Sequence, residues 1–217
     1  MKPLRILLAD DHEVVRRGIR ALLESHEGWT ICGEVPDGRS AVEQARQLAP
    51  DLVILDIAMP GLNGLDAARQ IRELAPAVQI LILTMYDSDQ LVRQVLESGA
   101  RGYLLKSDAG RELINAVEAL SQQKPFFTAR VAEKVLGAYL GEPAKAETPR
   151  IHGELTPRER EVVQLLAEGK TSKELASILE ISIKTAETHR TNVMRKLGAH
   201  SLSELVRYAI RNQIIEA

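Results

Sequence analysis

Five polar side chains stand where short apolar runs stop. Asp10 and Asp11 follow Leu4–Ala9, Asp56 follows Leu52–Leu55, Thr84 follows Ile80–Leu83, and Lys106 follows Gly102–Leu105. Taken singly, each is an ordinary polar residue at the end of an element, and Asp56 alone could simply cap or start a turn. Taken together they form a chemical set. Carboxylates held close together repel one another unless a cation is bound, and their hard oxygens suit Mg²⁺. A threonine hydroxyl donates one hydrogen bond, and a lysine ammonium is a compact positive charge for an anion. Carboxylate nucleophile, metal, hydroxyl donor and ammonium together suit phosphoryl transfer to an aspartate.

The elements that must position these groups are legible in the same stretch. Leu52–Leu55 is continuous and apolar, as expected of a parallel strand buried on both faces. Pro60, Gly61, Asn63 and Gly64 then mark a loop. Further runs occur at Leu4–Ala9, Ile31–Val35, Ile80–Leu83 and Gly102–Leu105. Helical spacing lies between them, as in Val15, Ile19, Leu22 and Leu23, or Leu113, Val117 and Leu120. Five strands alternating with five helices predict an α/β fold with a doubly wound, five-stranded parallel sheet. Chemistry in such a sheet lies at the carboxyl ends of its strands.

Asp10-Asp11, Asp56 with Met59-Pro60-Gly61 behind it, Thr84, Tyr103 and Lys106 resemble a response-regulator receiver domain, which has the flavodoxin-like form of this fold. The resemblance implies that Asp56 accepts a phosphoryl group from a sensor histidine kinase. It implies Mg²⁺ held by Asp11, Asp56 and the Ala58 carbonyl, with Asp10 acting through water. Thr84 and Lys106 would hold the phosphoryl oxygens, and Tyr103 would be the switch aromatic that follows Thr84 inward. Ser107 stands where many receivers have proline, which weakens the case for a cis peptide after Lys106 and leaves the Lys106 role intact. His12 and Cys32 read as a local polar contact and a buried filler. Ala58 and Tyr86, each two residues beyond a site residue, are expected to influence how water reaches the phosphoryl group.

Bulk properties narrow the classes. Of the 217 residues, 45% are hydrophobic and 27% charged, as in an ordinary soluble globular protein. No apolar run is long enough to span a bilayer, and the amino terminus lacks a signal-peptide pattern. With Cys32 the only cysteine, an intrachain disulfide and a cysteine-rich zinc site are excluded, and a cytoplasmic location is expected. Charge is uneven along the chain. Residues 1–121 carry 13 Lys/Arg against 18 Asp/Glu, whereas residues 150–217 carry 11 against 9. An acidic front suits a cation, and a mildly basic back suits approach to a polyanion.

Between these halves the pattern loosens. Phe126 to Leu140, with Val131, Val135, Leu136 and Tyr139, is enough for a helix. Gly141 to Pro149 reads as a polar hinge. The expected organisation is a receiver at 1–121, a partly helical linker at 122–153 and a second domain at 154–217.

That second domain reads as four short helices. Thr156-Pro157-Arg158-Glu159 and Thr171-Ser172-Lys173-Glu174 are capping boxes, Ser182 can cap a third helix, and Ser201 to Glu204 opens a fourth. In the third, Ala186, His189, Val193 and Leu197 fall on one face and are expected to pack inward. Lys184, Glu187, Thr188, Thr191 and Arg195 fall on the other. A solvated polar face is the usual meaning of one such helix. Here the turns around it make a helix-turn-helix, whose outward face suits a major groove.

Leu155 to Val162, Gly169 to Ala176, Ile183 to Arg190 and Met194 to Gly198 resemble a LuxR-type helix-turn-helix over about Leu155–Ile210. The resemblance implies that Glu187, Thr188 and Thr191 face bases of double-stranded promoter DNA. Lys184, Thr185, Arg195 and the Thr171, Ser172, Lys173 end of the second helix would face phosphates. Arg190, Asn192 and Lys196 are further candidate contacts. His189, on the inward face, reads as a core histidine. The fourth helix's apolar stripe, Leu202, Leu205, Val206, Ala209 and Ile210, must largely bury within the domain; the family often uses this helix for dimers.

The two halves together resemble a NarL/FixJ-type response regulator. Phosphorylation at Asp56 is then expected to shift the receiver through Thr84 and Tyr103, favour a homodimer on paired DNA half-sites, and act on transcription by RNA polymerase. Two rivals remain at this level. A phosphate-ester hydrolase could use Asp56 with Mg²⁺, but would need a second acid and a covering insertion that the sequence does not offer. A constitutive DNA-binding adaptor with a vestigial receiver is at odds with the intact Asp11, Asp56, Thr84 and Lys106.

Overall fold

The computed structural model describes residues 2–85, 88–128, 131–132 and 155–215. The chain divides into two compact units, Met1–Ala144 and Lys145–Ala217, and each is described by itself.

In the first unit a parallel sheet is built from β1 (Leu4–Ala9), β2 (Trp29–Val35), β3 (Leu52–Asp56), β4 (Gln79–Thr84), β5 (Gly102–Leu105) and β6 (Phe126–Phe127). Their order is β2-β1-β3-β4-β5-β6. The helices are α1 (Glu13–Glu24), α2 (Gly38–Leu48), α3 (Gly64–Leu74), α4 (Asp89–Glu97) and α5 (Ala109–Ser121), the last entered through a 3₁₀ turn at Lys106–Asp108. Every residue of β3 is buried, because helices cover both faces of the sheet. Alternation sorts its side chains. Val53 and Leu55 pack with Ala41, Leu65, Ile71 and Val92 from α2, α3 and α4. Leu52 and Ile54 pack with Ile19, Leu23, Leu113 and Val117 from α1 and α5. The order reverses between β1 and β3, opening a crevice at the strand carboxyl ends.

The expected five strands are all present, and a sixth joins them. Phe126–Phe127, read as the start of a linker helix, instead pairs in parallel with β5, Gly102 opposite Phe126 and Tyr103 opposite Phe127. Two adjacent aromatic residues suit this edge because a strand sends them to opposite faces, Phe126 to the α1/α5 side and Phe127 to the other. Val131 is also buried in the core of this unit, so the packed core reaches past residue 121. The rest of the expected linker helix, with Val135, Leu136 and Tyr139, and the Gly141 to Pro149 hinge lie outside the described residues.

The second unit contains α6 (Pro157–Ala167), α7 (Ser172–Ile178), α8 (Ile183–Leu197) and α9 (Leu202–Arg211). Both capping boxes form, at Thr156/Glu159 and Thr171/Glu174. Ser182 accepts from the Thr185 amide, and Gly198 closes α8 in the left-handed conformation that glycine adopts without cost. Ser201 caps α9, while the Glu204 carboxylate accepts from the His200 amide rather than closing a box. A small core of Val162, Leu166, Leu175, Ala186, Val193 and Leu205 holds the four together.

Candidate functional sites

Strand register assembles the first site. Ala9 pairs with Leu55, so Asp10 and Asp56 follow side by side. Leu83 pairs with Asp56 and Thr84 with Leu105, which brings Lys106 to the same edge. Lys106 Nζ lies 2.7 Å from Asp10 Oδ2 and 2.7 Å from Asp56 Oδ2. Asp10 and Asp56 are only 1% and 3% exposed, whereas the Asp11 side chain is 34% exposed. His12 donates its amide to Asp10 Oδ1 at 2.8 Å and lays Nδ1 2.7 Å from Asp11 Oδ1.

Electrostatics follow from this geometry. Burial pushes the Asp56 carboxyl up to about 6, with Asp10 and Asp11 adding to the rise and the Lys106 ammonium opposing it. Burial also works against the charge on Lys106. Its hydrogen bond to Asp56 and its ion pair with Asp10 outweigh that, and its pKa stands above the ordinary lysine value. Asp10 and Asp56 face one ammonium and Asp11 lies in the same cluster, leaving an excess of negative charge. Asp10, Asp11, His12 and Asp56 offer ligand atoms within 4.8 Å of one another. Such an oxygen-rich, under-neutralised cluster fits a hard divalent cation such as Mg²⁺.

Thr84 and Tyr103 lie on the α2–α4 face by strand alternation, with Ile82 opposite Tyr103. Thr84 is 1% exposed and Tyr103 fully buried, so the aromatic ring is inside the core in this structure. Ala58 is half-buried in the loop after β3, while Tyr86 lies outside the described residues. The Lys106–Ser107 peptide is trans. Cys32 is half-buried, its Sγ 3.4 Å from the Ile6 carbonyl, and burial pushes its thiol up.

Sequence reasoning gave Gly64 only as a loop marker, and the structure gives it a stronger part. A Cβ there would lie 1.9 Å from the Asp56 carbonyl oxygen, so α3 can start against the backbone of the phosphoacceptor candidate only at a glycine. Asn63 caps α3 through the Asp66 amide, with its own amide group on Asp66 Oδ2 at 2.9 Å. The signal available in sequence was an Asn-Gly pair just before a helical pattern, which turn rules assign to a loop.

The second site is the outward face of α8. Lys184, Thr185, Glu187, Thr188, Arg190, Thr191 and Arg195 are exposed. Ala186 and Val193 are buried, and His189 and Leu197 are half-buried, so His189 sits at the rim of the core rather than within it. At the start of α7, Thr171 and Lys173 are exposed and Ser172 is partly so. Thr188 Oγ1 donates to the Lys184 carbonyl and Thr191 Oγ1 to the Glu187 carbonyl, both at 2.9 Å, so each hydroxyl keeps its lone pairs and methyl for an outside partner. Two of the further candidates are engaged within the domain. Lys196 Nζ is 2.6 Å from Glu159 Oε2, and Asn192 accepts from Arg195 at 3.0 Å. On α9, Leu205 and Ala209 are buried, Val206 and Ile210 half-buried, and Leu202 exposed.

Comparison with known proteins places a family match on each of the two units. Residues 6–118 match the family described as response regulator receiver domain, and residues 153–209 the bacterial regulatory proteins of the luxR family. The transcriptional regulatory protein LiaR of Bacillus subtilis is 40% identical over 98% of this chain and 99% of its own. The oxygen regulatory protein NreC of Staphylococcus epidermidis is 35% identical, covering 98% of this chain and 100% of its own. Among solved structures, RcsB from Salmonella enterica serovar Typhimurium, bound to a promoter in the presence of the phosphomimetic BeF₃⁻, is 30% identical with a TM-score of 0.59, over 94% of this chain and 97% of its own. The chain belongs to the two-component response regulators of the NarL/FixJ type: a transcriptional regulator with a receiver domain and a LuxR-type DNA-binding domain.

Proposed function

We propose that Asp56 is the phosphoacceptor and that its phosphorylation by a sensor histidine kinase controls binding of promoter DNA through α8. The observation that carries this reading is the buried Asp56 carboxylate, held beside Asp10 and paired with Lys106 at the carboxyl end of β3. With a pKa of about 6, Asp56 is mostly ionised at neutral pH and nucleophilic. One of its oxygens forms a bond to phosphorus as the phosphorus–nitrogen bond of the donor phosphohistidine breaks. The imidazole leaves with that electron pair, and Asp56 becomes an acyl phosphate. Lys106 turns from the carboxylate to a phosphoryl oxygen, and Thr84 donates its hydroxyl to another. Asp10, Asp11, Asp56 and the Ala58 carbonyl are the groups that would hold Mg²⁺, which supplies charge neutralisation for the transferring phosphoryl group.

The readout follows from Thr84 and Tyr103 sharing one face of the sheet. Thr84 drawn toward the phosphoryl group favours the buried position of the Tyr103 ring, and this two-state element biases the regulator toward a DNA-binding homodimer. On DNA, Glu187, Thr188 and Thr191 face base edges. Lys184, Thr185, Arg190, Arg195 and the Thr171, Ser172, Lys173 turn face the backbone. Leu202, Val206 and Ile210, the uncovered part of α9, support the dimer, and RNA polymerase is the downstream partner. Among the described residues no helix is long and apolar enough to cross a membrane; a cytoplasmic location is part of the proposal.

The test is mass spectrometry after incubation with Mg²⁺ and acetyl phosphate. A single added phosphoryl group, lost in Asp56→Asn, is expected. Addition elsewhere, or an Asp56→Asn protein that still answers a kinase signal at its promoter, would overturn the reading.

A further inference from the structure

Three observations converge on the turn between α7 and α8, the two helices that carry the candidate DNA contacts. First, Glu180 in that turn has φ of 54°, a left-handed conformation that a glutamate adopts only at a cost. The turn is closed from within by the Glu180 amide on the Ser177 carbonyl at 3.3 Å and the Ile181 amide on the Ala176 carbonyl at 3.0 Å, and a residue other than glycine keeps its cost there. Second, Arg158 in the first turn of α6 reaches across to it. Its Nη2 donates at 2.8 Å to the carbonyl of Leu179, the residue that ends α7 and precedes Glu180. Third, Arg158 is itself held: Nη1 lies 2.6 Å from Oε2 of Glu161, whose side chain is only 5% exposed. A buried carboxylate thus orients one arm of the guanidinium while the other clasps the strained turn. The two terminal nitrogens of one planar guanidinium serve one acceptor each.

We infer that Arg158 is a positioning residue for DNA recognition, fixing the α7–α8 turn, and not a phosphate contact despite its charge and partial exposure. The neighbouring residue works in the same sense, since Glu159 pairs with Lys196 of α8. The first turn of α6 therefore grips both the turn and the recognition helix. This rests on the α8 face being the DNA-reading surface.

The experiment uses the full chain, phosphorylated, and a duplex that the wild-type protein has selected from a random-sequence pool. Affinity is measured across a salt series for wild type, Arg158→Lys, Arg158→Ala, Arg158→Ala with Glu180→Gly, and Lys184→Ala. A phosphate contact shows itself as a loss of about one unit in the slope of log affinity against log salt. Lys184→Ala is expected to show that loss. Arg158→Lys keeps the charge but replaces two rigidly spaced donor nitrogens with one, so it is expected to bind roughly tenfold more weakly at unchanged slope. Glu180→Gly removes the backbone cost at 180 and is expected to recover part of the affinity lost in Arg158→Ala. Near-wild-type binding by Arg158→Lys, a slope reduced by one in Arg158→Ala, or no rescue by Glu180→Gly would each overturn the inference. Should Arg158→Ala fail to fold, Arg158→Lys decides alone. Failure of wild type to select any sequence would count against the DNA-reading face itself, a separate result.

Discussion

The proposed phosphoacceptor site and the proposed DNA-facing helix hold their functional groups in opposite ways. At the strand ends, Asp10, Asp56 and Thr84 are buried and the backbone register does the placing. On α8, Lys184, Glu187, Thr188 and Thr191 are exposed, and placement falls to side-chain clasps behind them such as Arg158–Leu179 and Glu159–Lys196. The first arrangement stores electrostatic tension, because burial disfavours charge on carboxylates that must stay charged to react. The second stores almost none, because water and salt screen the exposed groups. Substitutions in the receiver site should therefore act on folding and function together. Those on the α8 face should act on binding alone.

The comparison can be broken most easily at Asp56. Asp56→Asn is expected to abolish phosphoryl uptake while leaving the DNA affinity of the unphosphorylated chain unchanged, read by intact mass and by gel shift. Next in size is Gly64→Ala, whose added Cβ meets the Asp56 carbonyl. It is expected to cost about 3 kcal/mol or more in denaturant unfolding of the first unit and to slow phosphorylation, with no effect on α6–α9.

A pH series sharpens the contrast. The folded Asp56 carboxyl stands at about 6 against an ordinary 3.8, so the unfolded chain gives up that proton first. Stability of the first unit from this group is fully present below pH ~4, falls as pH rises through about 6, and is lowered by as much as about 3 kcal/mol at pH 7. Asp56→Asn should flatten that slope. If both proteins show the same profile between pH 4 and 7, the tension lies elsewhere.

The smallest expected effects are on α8. Glu187→Ala is expected to cost about 1–3 kcal/mol and to relax preference at one base position, measured by selection from random duplexes. The melting temperature should not move, because Glu187 is exposed.

Legibility in the sequence follows the same division. The strands were readable because continuous apolar runs such as Leu52–Leu55 have no other use in a chain this polar, and the polar residue that ends each run is conspicuous. The caps of α6 and α7 were readable because Thr-x-x-Glu closes on itself within four residues. β6 was not, because Phe126–Phe127 is too short for a period and its partner Gly102–Tyr103 is distant in sequence. Nor could spacing show that Gly64 meets the Asp56 carbonyl, or that Arg158 reaches Leu179, since both depend on tertiary approach. His189 shows the limit of a helical wheel: its angle was right, but the domain is too small to cover that rim fully.

The short strand Phe126–Phe127 has one more consequence. It is the element that covers the outer edge of β5 at Gly102 and Tyr103, and its removal would bare their backbone donors and acceptors beside an aromatic core. Bare edges of that kind template pairing with other chains. A receiver cut after Ser121, the end of its last helix, would carry a sticky flank and self-associate for reasons unrelated to phosphorylation. One cut beyond Val131 would keep its edge closed.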